Sequence, residues 1–237
     1  MQPVTLLQLK TLPSYKKNLS KLIEALNKAP KSAIIVAPEL YLTGFDYDNI
    51  EEACSFSEEA IATLQKLLTT QTLVLTLFRK VDNNIVNQAA VIHNRTVVHK
   101  QNKHKLFKLG NEHHHFNAGN GEDIALFEIN GIKFGLLICF ELRFKELWQK
   151  LEGADIICIP SQWGEPRKRH LEILGNALAV MNQCFVLVCN SADETMAKSS
   201  AIYSPMGGTT LNDASEKIEH SIDLQEIKLM RRYISLS

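Results

Sequence analysis

Apolar residues along this chain fall into two rhythms. Short, nearly unbroken runs at residues 4–9, 32–37, 72–78, 155–160 and 184–190 predict strands, and a run with no polar alternate belongs to a strand covered on both faces. Between these runs the apolar spacing lengthens to three and four. Leu19, Leu22, Ile23 and Leu26 predict a helix over 15–29, stopped by Pro30; Ile61, Leu64 and Leu68 predict another over 60–69; residues 167–182 predict a third. Strands alternating with helices place the chain in the α/β class.

Three stretches break that alternation. Asp82-Asn83-Asn84 and His93-Asn94-Arg95 are turn signals around short alternating runs, so 87–99 predicts a hairpin meander. Asn130-Gly131 is a strong turn pair joining 124–129 to 132–138, and a last hairpin is expected from 200–204 through Pro205-Met-Gly-Gly to an edge near 218–222. The polar segment 100–121 predicts a long loop, and long loops in compact domains are usually functional. With no linker, low-complexity tract or internal repeat in the 237 residues, the expectation is one domain over 1–237, of mixed sheets flanked by helices.

Composition narrows the partners. Lys+Arg 26 balances Asp+Glu 26, which removes any charge-based reason to expect nucleic acid or an anionic membrane surface. No apolar run approaches the roughly 20 residues of a membrane span, and the N-terminus lacks a basic-then-apolar leader, so a cytoplasmic location is expected. Five cysteines at 54, 139, 158, 184 and 189, irregular in spacing and without a C-x-x-C pair, argue against a disulfide framework or a zinc ribbon. Cys158, Cys184 and Cys189 lie in apolar runs and read as reduced core residues; Cys54 lies in a polar, loop-like stretch.

Cys139 is different. It sits where the run 134–138 joins an amphipathic helix expected to end near Gly153, so the helix dipole and unpaired N–H groups would favour its thiolate. The same N–H groups can hold an oxyanion, although a packed core cysteine is the ordinary reading. Glu39, at the end of run 32–37, occupies the sheet edge where α/β active sites gather; it caps a helix, pairs with a base, or does chemistry. Alone, Lys103 in a basic stretch reads as a solvated loop charge, and Glu112 is equally undistinguished. His113, His114 and His115 invite a metal, but adjacent side chains point apart. Arg143, four residues after Cys139 and one expected helical turn on, either pairs with a neighbouring acid or forks a substrate carboxylate.

The order and spacing of four segments carry a resemblance. Ala37-Pro-Glu39-Leu-Tyr-Leu-Thr-Gly44-Phe, Lys103-His-Lys-Leu-Phe107, Glu112-His-His-His-Phe-Asn-Ala-Gly119-Asn and Ile138-Cys139-Phe-Glu-Leu-Arg143-Phe closely resemble the nitrilase superfamily of carbon–nitrogen hydrolases. Further fit comes from Gly153-Ala-Asp-Ile-Ile-Cys-Ile-Pro160-Ser-Gln-Trp163, Asn182-Gln183 and Ser200-Ala-Ile-Tyr-Ser-Pro205-Met-Gly207, so that residues 8–223 are covered. The resemblance implies a four-layer αββα sandwich of two mixed sheets, usually paired near the nucleophile, hence a homodimer or higher homo-oligomer. It also implies Glu39 as general base, Lys103 as cationic stabiliser, Cys139 as nucleophile and Glu112 as a second, positioning glutamate, with no metal or organic cofactor.

On that footing the Phe140 backbone N–H shares the oxyanion with Lys103, Arg143 is the candidate for a substrate carboxylate, and Trp163 is a pocket wall or else an interface or core aromatic. The segment from Lys103 to Asn120 looks most like the ω-amidase branch, which implies a small carboxylated amide as substrate. The alternatives are an N-carbamoyl amino acid amidohydrolase, a catalytically silent binding member of the fold and, from another class, a thiol redox protein. Glu141, Lys145 and Met181 stand where the family commonly has Asp, Pro and an acidic residue nearby; these departures bear on the pocket floor and the subunit contact.

Overall fold

The computed structural model describes residues 1–235. In the first sheet β1 (Gln2–Leu6), β2 (Ile34–Val36) and β3 (Thr72–Val81) run parallel, linked by α1 (Tyr15–Lys28) and α2 (Ile50–Leu67). Antiparallel β4 (Asn84–His93) and β5 (Thr96–Asn102) extend it. The second sheet starts with β6 (Phe127–Ile129), antiparallel to β7 (Ile132–Leu136). Parallel β8 (Ile156–Pro160) and β9 (Phe185–Cys189) follow, linked through α3 (Lys145–Lys150) and α4 (Lys168–Met181). Antiparallel β10 (Ala201–Tyr203) and β11 (Thr209–Leu211) complete it. The chain then returns to the first sheet, where β12 (Ile218–Ile222) pairs antiparallel with β1 before α5 (Gln225–Tyr233).

Each sheet therefore has six strands in the same arrangement: one antiparallel edge, three parallel strands, then an antiparallel pair. The sequence carries no visible repeat, yet the topology is doubled. The sheets stack through β1, β2 and β3 against β8 and β9. Side-chain alternation sorts the first sheet's residues between two apolar layers. Val4, Leu6, Ile34, Val36 and Val74 join the core shared with the second sheet, while Leu7, Ile35, Ala37, Leu73 and Leu75 pack with Leu22, Leu26 and Leu64 of α1 and α2. Both alternates are apolar because both faces are covered, which is why these strands read as unbroken runs. Each fully buried aliphatic side chain contributes about 1.5–3 kcal/mol.

Local signals account for much of the rest. Ser14 caps α1 by accepting the Lys17 N–H at 3.4 Å, and Asn94, Asn130 and Gly131 take the left-handed backbone that their tight turns require. Four expectations need correction. Helix α2 begins at Ile50, not near residue 60, so Cys54 is a buried helical residue and not part of a loop. The last hairpin closes on Thr209–Leu211, whereas Ile218–Ile222 belongs to the other sheet. Helix α5 was not expected at all. Finally, the helix after Cys139 is broken at Phe144 into a five-residue 3-10 turn, Cys139–Arg143, and the short α3.

All five cysteines are unpaired and buried, and no helix among the described residues is long and apolar enough to cross a membrane.

Candidate active site

Strand ends from both sheets converge on one buried cluster. Glu39 follows β2, where Leu40 adopts a left-handed φ of 48° held by its N–H donating to Thr76 Oγ1 at 2.7 Å. The Glu39 N–H reaches across to the Ser161 carbonyl beyond β8 at 3.2 Å, so this turn is fastened to the opposite sheet. Lys103 follows β5, its N–H donating to the Asn87 carbonyl of β4 at 2.8 Å. Glu112 comes from a 3-10 turn, Glu112–His114, in the long loop. Cys139 follows β7 with a φ of 50°. A non-glycine residue held there costs about 1–3 kcal/mol, a strain that clusters at functional sites.

The side chains interlock. Lys103 Nζ donates to Glu39 Oε1 at 2.7 Å and to Glu112 Oε1 at 2.7 Å, with all three side chains almost wholly inaccessible to solvent. Asn87 Nδ2 adds a third bond, 2.8 Å to Glu39 Oε1, and the Phe107 N–H donates to Glu112 Oε2 at 3.0 Å. Buried ion pairs persist only where such extra bonds satisfy the remaining lone pairs. One atom is left over: Glu39 Oε2 is buried with no hydrogen-bond partner in the protein. Gln162 bridges to the sulfur, its N–H lying 3.5 Å from Cys139 Sγ while its Nε2 donates to the Glu39 carbonyl at 2.9 Å.

These contacts set the proton affinities. Burial works against the Lys103 ammonium, but Glu39 and Glu112 outweigh it and hold its pKa above the ordinary lysine value. Burial also lifts the Glu112 carboxyl, with Lys103 opposing and Glu39 assisting. For Cys139, burial and then Glu39 raise the thiol well above its usual pKa, more than Lys103 lowers it. This overturns the expectation of a dipole-stabilised thiolate. A five-residue 3-10 turn offers little aligned dipole, and a dry site with two carboxylates disfavours another anion. At rest the sulfur keeps its proton.

Glu141, two residues after Cys139, is a third buried carboxylate. It accepts the Ile138 N–H at 2.7 Å and the His104 N–H at 2.6 Å, tying the cysteine turn to the lysine loop. Burial raises its pKa to about 7, against the pull of those donors. The departure at Lys145 is an exposed first residue of α3, and Met181 is an exposed last residue of α4.

A half-open pocket, about 230 Å³ when the open space at its mouth is counted, lies over Cys139, walled by Phe107, Phe140, Gln162 and Trp163, with Arg143 and Arg167 alongside. The broken helix does not remove Arg143 from the site, since its guanidinium lies 4.7 Å from the Trp163 ring centre. Seven residues expected from sequence are thereby accounted for: Glu39, Lys103 and Glu112 form the cluster, and Cys139, Phe140, Arg143 and Trp163 line the pocket. Asn87, Gln162 and Arg167 were missed. A polar pair inside apolar β4 could have pointed to Asn87, and position after a strand end, the same signal as for Glu39, to Gln162. His115 has turned away to stack on Tyr47, ring centres 3.8 Å apart, and among the described residues no three His, Cys, Asp or Glu side chains group to hold a metal.

Two stacked mixed sheets flanked by helices, joined at their strand ends by a buried acid–lysine–acid cluster beside a cysteine, define an enzyme of the nitrilase superfamily. The carbon–nitrogen hydrolase family model matches residues 3–232, and the chain belongs to that family. It is 31% identical over 232 residues to a 2-oxoglutaramate amidase of Bacillus subtilis, covering 92% of this chain and 89% of that protein. It is 28% identical over 160 residues to the omega-amidase YafV of Escherichia coli K12, covering 66% of this chain and 61% of that protein. Among solved structures it resembles Saccharomyces cerevisiae Nit3, of branch 10 of the nitrilase superfamily. The TM-score is 0.87 at 22% identity, over 100% of this chain and 95% of that one. Amide C–N hydrolysis is the reaction these relatives support.

Proposed function

We propose that this protein hydrolyses a small carboxylated amide through a cysteine thioester, as an ω-amidase-like enzyme, with 1–237 acting as one catalytic unit. The observation that carries the reading is the free Glu39 Oε2: the other oxygen is tied to Lys103 and Asn87, and one unpartnered carboxylate oxygen remains buried in the cluster. A protonated Cys139 needs a base, and that oxygen is the base available to it.

Glu39 takes the thiol proton as the sulfur bonds to the amide carbon, and the carbonyl becomes an oxyanion. Lys103 and the Phe140 backbone N–H, which lies in the first turn of a helix where N–H groups lack internal partners, hold that charge. Glu39 returns the proton to the nitrogen as the C–N bond breaks and ammonia leaves. The same carboxylate then deprotonates a water that attacks the thioester, releasing the acid and restoring the thiol. Glu112 keeps the ammonium charged and aimed. Arg143 and Trp163 receive the substrate's carboxylate end.

The free protein is proposed to be cytoplasmic and to pair as a homodimer or larger assembly. N-carbamoyl amino acids, which also end in a carboxylate, are the second substrate class to test. Cys139→Ala abolishes ammonia release from 2-oxoglutaramate while circular dichroism and melting temperature stay near wild type; a variant retaining near-normal turnover ends this account.

A further inference from the structure

Among the residues lining the pocket, Arg143, Arg167 and the Trp163 indole N–H are donors that meet no carboxylate. Arg79, Arg169 and Arg231 each pair with an acid, whereas Arg143 and Arg167, like the exposed Arg95 and Arg232, form no ion pair among the described residues. Arg143 Nη2 lies 2.9 Å from His170 Nδ1, and burial, then the like charge of Arg167, lower the pKa of its guanidinium. Trp163 is 3% exposed, and its indole N–H has no partner in the protein. A buried donor left unmade costs about 1–3 kcal/mol, and two neighbouring cations without an anion repel. No carboxylate lines the pocket.

Arg167 is also held in place. Its guanidinium lies 5.1 Å from the Phe107 ring centre, and a Cβ at Gly164 would stand 3.1 Å from its Nη2, so the glycine leaves the room it uses. Both faces of the pocket thus carry an arginine stacked on an aromatic ring, Arg143 on Trp163 and Arg167 on Phe107.

We infer that Arg167 is a specificity-determining residue: with Arg143 and the Trp163 indole N–H it forms an all-donor seat for the anionic end of the amide. A carboxylate flanked by a second oxygen acceptor satisfies three donors at once. A head group bearing an ammonium meets two guanidiniums and no acid, and is turned away. The seat selects a 2-oxo acid amide over the matching 2-amino acid amide by charge, with little need for a difference in shape. This rests on the pocket being the amide site proposed above.

The test compares wild type, Arg167→Ala and Arg167→Lys on three five-carbon amides: 2-oxoglutaramate, glutamine and neutral pentanamide, with ammonia as readout. Binding of 2-oxoglutarate to the same proteins is measured by calorimetry. Arg167→Ala raises KM for 2-oxoglutaramate by about 10- to 100-fold, as expected for one charged hydrogen-bonding group. Its loss on pentanamide is at least about tenfold smaller, the preference over glutamine narrows, and Arg167→Lys recovers part of the loss. Equal losses on the charged and neutral amides, or none on either, overturn the inference. If wild type releases ammonia from no amide, the hydrolase reading fails on its own. The seat is then judged by 2-oxoglutarate: weaker binding in Arg167→Ala upholds it, and unchanged binding overturns it.

Discussion

Lys103 and the pair Arg143 and Arg167 are cations of one site in opposite circumstances. Lys103 is sealed from solvent and clasped by two carboxylates at 2.7 Å, themselves fixed by Asn87 and a backbone N–H. The two arginines stand at the opening on aromatic rings with no acid to meet them. Apart from the free Glu39 Oε2, the deep end has its partners before any ligand arrives, so its ammonium needs no rearrangement when charge develops; such preorganisation is the usual source of electrostatic catalysis. The mouth is complete only when an anion occupies it. Rate is thereby assigned to the deep end and selectivity to the mouth, and substitutions can separate the two.

The largest effect is expected from Lys103→Met. Removing the ammonium leaves Glu39 and Glu112 buried together, which destabilises by about 3–5 kcal/mol at neutral pH, and turnover falls by roughly 100- to 1000-fold or more. Urea unfolding across pH shows the loss shrinking in acid, where a carboxylate takes up the missing positive charge as a proton. A variant as stable and active as wild type would mean that the deep end is not the interdependent unit described here.

Glu141→Gln probes the clamp between the cysteine turn and the lysine loop. The folded carboxyl titrates near 7, against the ordinary 4.5. The fold therefore holds this proton more tightly than the unfolded chain. Its stabilisation is complete below about 4.5 and fades as pH rises through about 7, with an upper bound on the order of 3 kcal/mol. The glutamine variant loses that slope, and urea midpoints at pH 5 and pH 8 draw together; an unaltered slope would place the titration elsewhere. Smallest is Arg143→Ala. Its KM for carboxylated amides rises about tenfold more than for neutral ones, with kcat moved less. Equal losses on both would return Arg143 to a structural role.

Much of this was legible in the sequence because it is local. Unbroken runs marked the doubly covered strands, Asn130-Gly131 marked its hairpin, and Glu39 and Cys139 stood where apolar runs stop. What escaped depends on distant partners. The first half of α2 buries Ala53, Cys54, Phe56 and Ser57, and one large apolar residue among three small or polar ones draws no stripe. The turn after Cys139 breaks because the N–H groups of Ile138 and His104 converge on Glu141, a contact between segments 37 residues apart. Arg167 sits in Arg167-Lys168-Arg169, where nothing local separates it from Lys168, which pairs with Asp213, or from the exposed Arg169. The sheet joined by β12 cannot be read from β12, whose alternating pattern suits either one.

That late return of β12 has a consequence for biosynthesis. Strand β1, Gln2–Leu6, has one flank bare until Ile218–Ile222 has left the ribosome, an interval on the order of tens of seconds at ordinary translation rates. A bare flank is a template for pairing with another chain. The nascent protein is thus prone to stick to its neighbours until Ile218–Ile222 has emerged, and crowded expression should punish it where chaperone-rich synthesis would not.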